Sequence, residues 1–89
     1  MKKSRSQLMN WLSKHMDFVE TTEDFNGSEG GIWVSGENGD EYKGLTIYSY
    51  YAQGSDYSLG VLNEWEKKLN DWGWYSEWYD AGTIMIYKI

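Results

Sequence analysis

Six Trp, eight Tyr and two Phe stand in a chain of 89 residues that has no Cys and no Pro. A chain this short buries only somewhat more than ~60% of its unfolded surface, so its core is modest. Small domains commonly add disulfides or a structural metal to compensate. Neither route is open here, because Cys is absent and the single His15 cannot build a site of the Cys/His type. Large aromatic side chains remain, each burying about 150–250 Å². Much of the aromatic content is therefore core, in one domain spanning 1–89. With ten Gly and no Pro, the turns fall to Gly, Asn and Asp.

Hydrophobic spacing organises the chain. Leu8, Trp11, Leu12, His15, Met16 and Val19 recur at helical intervals, with Ser4 or Ser6 available as the cap. The opening MKKSRSQLMNWL has the basic start of a signal peptide but neither its long apolar stretch nor its cleavage site, so it reads as the lead-in to this helix. Phe18 to Phe25 carries Val19, Thr21 and Thr22 and is expected to be a strand. Ile32-Trp33-Val34 is a second strand, and Glu37-Asn38-Gly39-Asp40 reads as a hairpin turn into a long strand over Tyr42 to Tyr51. A second helix opens at Ser55 and Asp56, carries Val61, Leu62, Trp65, Leu69 and Trp72 as its apolar stripe, and stops at Gly73. Glu64 and Lys68 are spaced to pair on its outer side. Trp74 to Asp80 and Thr83 to Ile89 form a closing hairpin through Ala81-Gly82.

The order α-β-β-β-α-β-β predicts an α+β domain of two layers, an antiparallel sheet of about five strands with two helices on one face. The other face would then be left to several of Trp74, Trp78, Tyr48, Tyr50 and Tyr87. An uncovered antiparallel face is normally polar, and an aromatic one is a candidate interface.

Charge is as unevenly spread as the aromatics. Eight of the fourteen carboxylates lie between Lys14 and Lys43, a stretch without Lys or Arg. Concentrated charge bears on partners and solubility rather than on fold. On a hairpin and its turns, these carboxylates would recur every ~6.6–7 Å along an extended strand. That interval resembles the phosphate spacing of a nucleic-acid strand, so the row could occupy the cationic groove of a nuclease, repressor or polymerase. The net charge of −6 opposes direct binding to nucleic acid, since phosphates need a cationic surface.

No reaction is written in the chain. His15 lies on an apolar helix face, no Ser sits in a nucleophile elbow, and there is no thiol. Glu77 between Tyr75 and Tyr79 has the surroundings of a sugar-processing carboxylate, but the chain is short for the deep cleft such chemistry needs. Asp24 to Gly30 departs from a calcium loop, because position twelve is Ser35 rather than Glu. Gly30-Gly31 lacks the Lys-Ser/Thr of a phosphate loop. No cofactor and no metal are expected, and no run of about 20 apolar residues offers a membrane span.

The reading that remains is a non-enzymatic acidic protein-binding module, cytoplasmic, directed at a basic protein such as a nucleic-acid-handling enzyme. In profile it resembles phage and mobile-element inhibitors of restriction and CRISPR systems, the DNA mimics: short, acidic and cysteine-free. Its expected acidic contacts are Glu20, Glu23, Asp24, Glu29, Glu37, Asp40 and Glu41; its expected aromatic anchors are Tyr48, Tyr50, Trp74 and Trp78. Two alternatives stand beside it: a homodimer or larger assembly closed over an aromatic sheet face, and a small-ligand binder that stacks a sugar on Trp or Tyr.

Overall fold

The computed structural model describes residues 1–89. In chain order its elements are α1 (Arg5–Leu12), β1 (Val19–Thr21), α2 (Thr22–Asn26), β2 (Ile32–Ser35), β3 (Glu41–Tyr42), β4 (Leu45–Thr46), β5 (Tyr57–Ser58), β6 (Val61–Leu62), α3 (Asn63–Asp71), β7 (Trp74–Asp80) and β8 (Thr83–Lys88). Ser4 starts α1 with a capping box: its hydroxyl accepts the Gln7 N–H, and the Gln7 side-chain oxygen accepts the Ser4 N–H. At the far end of α3, Gly73 takes φ +93 and ends the helix in the left-handed conformation that the sequence implied.

The fold is α+β. Four strands form one antiparallel sheet in the order β1-β2-β8-β7, and two further sheets hold two strands each. Register decides what each face carries. Ile32 lies opposite Ile86 and Val34 opposite Ile84, all fully buried, with Ser76 and Trp78 continuing the same face on β7. Leu8 and Leu12 of α1 and Trp65 and Leu69 of α3 close over it, so these two helices share one side. Trp11 joins them, its ring 4.7 Å from Trp65 and 4.8 Å from Trp72.

The opposite face is not left open. Met85, paired with Trp33 and Glu77, points away from that core yet is only 2% exposed. Its cover includes residues expected to be strand. The chain leaves β1 at Thr21 and turns into α2, which sets Phe25 4.7 Å from Trp33 and 4.9 Å from Tyr79. Thr22 is the reason for the turn: fully buried, it donates its hydroxyl to the Ser28 carbonyl (2.7 Å) and accepts the Gly31 N–H (3.0 Å). Those two bonds satisfy a polar side chain that would otherwise be costly to bury. Gly31 must be bare, because a Cβ there would lie 2.5 Å from the Tyr87 ring.

The expected long strand over Tyr42 to Tyr51 is broken, and the second helix begins at Asn63 rather than Ser55. Two tight hairpins take up the difference. Lys43-Gly44 (φ 54 and 83) joins β3 to β4, and Leu59-Gly60 (φ 50 and 76) joins β5 to β6. Positive φ at both central residues is the type I′ geometry, whose twist matches the strands it connects. Between the hairpins Ile47 and Tyr48 run buried beside β6, with the Leu62 N–H on the Ile47 carbonyl and the Ser49 N–H on the Gly60 carbonyl, each at 2.9 Å. No helix is long and apolar enough to cross a membrane.

Candidate partner-binding site

The acidic residues are not ordered as a row. Of the seven, Glu20 lies in β1 and Glu41 in β3, which belong to different sheets; Glu23 and Asp24 lie on α2; Glu29, Glu37 and Asp40 sit in connecting segments. The regular interval of an extended strand is therefore absent, and the reason is the helical turn that Thr22 enforces. Glu23 is also taken up internally. Its Oε1 accepts from Arg5 Nη1 at 2.7 Å and its Oε2 accepts the Gly30 N–H at 3.0 Å. The Gly30 bond first, then Arg5, hold its carboxyl down at about 2. The other carboxylates in ion pairs are Glu64 with Lys43 and Asp71 with Lys67, leaving eleven of the fourteen without a cation from their own chain. Glu64 takes Lys43 instead of Lys68, whose ammonium lies 5.6 Å over the Trp72 ring.

The expected aromatic anchors divide into two pairs. Tyr48 and Trp74 are core, 3% and 1% exposed. The Tyr48 hydroxyl accepts the Trp65 indole N–H at 2.9 Å and shares a hydrogen bond with the Ser76 hydroxyl at 2.8 Å; burial pushes its ionisation well above the usual tyrosine range. The Trp74 indole N–H is bound to the Lys3 carbonyl. Trp74 and Trp78 were among the five aromatics from which the uncovered face was expected to draw, and both lie instead on the side of α1 and α3, because the pairing with β8 aligns them with Lys88 and Ile84.

Tyr50 and Trp78 reach the surface together. The Trp78 indole N–H donates to the Leu59 carbonyl at 2.7 Å, and Tyr50 packs edge-on to Trp78 with ring centres 5.1 Å apart. Tyr51 follows at 5.2 Å from Tyr50, 81% exposed. Leu59 is 91% exposed at the tip of its turn. Three clefts meet here. One of about 360 Å³ is lined by Tyr50, Leu59 and Trp78 alone. A second of similar size runs between Leu59, Val61 and Trp78 toward Glu66 and Glu77. The third, about 310 Å³, has Glu37 beside Tyr50 and Tyr51. An apolar centre thus has carboxylates at both ends.

Glu66 is the unusual member. Its Oε2 accepts the Ser76 N–H at 2.9 Å, whereas its Oε1 is shut off from solvent and has no donor in reach. Nothing in the sequence singled Glu66 out, and Leu59 falls inside the stretch expected to be helix. No three carboxylates converge with geometry that would hold a metal ion. His15 is half-buried against Trp11, Tyr42 and Trp65, with ring centres at 4.8, 5.3 and 5.7 Å. Comparison with known protein families, characterised proteins and solved structures finds no match for this chain.

Proposed function

We propose that the protein is a non-enzymatic module that docks on a basic protein, with the Tyr50–Tyr51–Leu59–Trp78 patch as its anchor. The carrying observation is that large apolar side chains stand exposed here between carboxylates that have no cation of their own. Aromatic anchors supply most of an interface's energy once desolvated, while surrounding charge sets the encounter rate. A nucleic-acid-handling enzyme is the partner class we favour, met in the cytoplasm, as for inhibitors carried by phage and mobile elements. Net charge supports that choice; carboxylate spacing does not.

Tagged capture from bacterial lysate at low and moderate salt, read by mass spectrometry, identifies the partner. Charge reversal at Asp40 and Glu41 should then slow association roughly tenfold and flatten its salt dependence, at nearly constant dissociation rate. An association rate unchanged in that variant would overturn the steering reading.

A further inference from the structure

The cleft between the β5–β6 turn, α3 and β7 has a chemical preference that narrows what enters it. Leu59, Val61 and Trp78 line it with apolar surface, Glu66 stands on its α3 side, and Glu77 borders it on β7. The only charges among its lining residues are negative. Lys67 and Lys68, the neighbours of Glu66 on α3, are engaged elsewhere, with Asp71 and over Trp72. A carboxylate with one oxygen excluded from water is poorly solvated, so its field is felt strongly in the adjacent cleft.

We propose that this cleft receives an arginine side chain of the partner, its methylene stem along Leu59 and Val61, its guanidinium beside Trp78 and against Glu66. The assignment rests on the protein-binding reading above and names the residue type that reading left open. Arginine fits better than lysine for two reasons. Its planar group stacks on an indole face, and it is the more weakly hydrated cation, so it loses less on entering an apolar slot. The stem covers apolar wall, as a lysine's also would, which a small cation without one would leave bare. The slot is large enough, at about 360 Å³, for the side chain and part of its own backbone.

The test uses N-acetyl-arginine amide as probe, with N-acetyl-citrulline amide as its neutral isostere. The readout is the Trp78 indole N–H and Ser76 amide signals in ¹H–¹⁵N spectra of the full chain. Saturable shifts with the arginine probe, at least fivefold weaker with citrulline and with the arginine probe on E66Q, are the expected result. Equal shifts with both probes, or an unaltered response in E66Q, would overturn the assignment. Because E66Q also alters the acceptor of the Ser76 N–H, L59G serves as a second variant: it removes the apolar wall at an exposed position and should weaken the arginine probe at least threefold. An L59G response equal to wild type also sinks the proposal. Failure here with retained partner capture would discard the arginine slot alone; a working slot with unchanged association in the Asp40/Glu41 reversal would discard only the steering.

Discussion

The indole N–H of Trp78 is bound to the backbone carbonyl of Leu59 at 2.7 Å, which ties the tip of the β5–β6 turn to the edge strand β7. The bond matters because Leu59 holds φ +50, a conformation that costs a bulky L-residue roughly 1–2 kcal/mol. With 91% of its surface exposed, the side chain recovers little of that cost by packing.

Leu59→Gly should therefore leave stability unchanged or raise it by up to about 1 kcal/mol. Urea denaturation followed by Trp fluorescence measures it. A clear loss of stability would mean that the leucine packs in solution far more than its exposure indicates.

Gly60 occupies the next position under the opposite constraint. A Cβ there would lie 2.6 Å from the Ser49 carbonyl, at φ +76. Gly60→Ala should cost more than ~2 kcal/mol, combining left-handed strain with a backbone clash. A midpoint within error of wild type would contradict the described path of residues 47–49.

Tyr48→Phe removes the acceptor of the buried Trp65 indole N–H and the partner of the Ser76 hydroxyl. The unsatisfied donor should cost about 1–3 kcal/mol. Adding Ser76→Ala should then cost much less than it does in the wild-type background, since the two side chains already share one bond. Strict additivity of the two losses would deny the coupling.

Acid should weaken the fold through Glu23. Its carboxyl is depressed in the folded chain, from an ordinary value near 4.5 to about 2. A depressed carboxylate stabilises above its unfolded value and loses that contribution as pH falls toward the folded one. Glu23→Gln should thus be less stable than wild type at pH 6, with the gap closing between pH 4.5 and 2. A gap that stays constant with pH would assign the loss to something other than the Arg5 and Gly30 contacts.

The first helix, the Ile32–Val34 strand, the Gly73 stop and the closing hairpin were legible because each has a local signature of spacing or turn, and of the two serines offered as cap the chain uses Ser4. The middle of the chain was not. Thr22 reads as a strand former, yet its hydroxyl finds partners at Ser28 and Gly31 only after the chain has turned. Leu59 falls inside the helix expected from Ser55, whereas the Leu-Gly pair makes a tight turn and ends the option of helix before Asn63. The site suffered for the same reason. Tyr50 and Trp78 could be named from the sequence, but Leu59 and Glu66 depend on how the hairpin lies against α3 and β7, a relation no local pattern carries.

Both chain ends are fastened to the same corner. The Lys3 N–H binds the Trp72 carbonyl, its own carbonyl takes the Trp74 indole, and the Ile89 N–H binds the Gly73 carbonyl. Trp78 lies four residues further along β7, about 13 Å at the usual rise of a strand. A tether or fluorescent fusion attached at either terminus leaves from that one corner, so both attachment points stand in the same relation to Trp78.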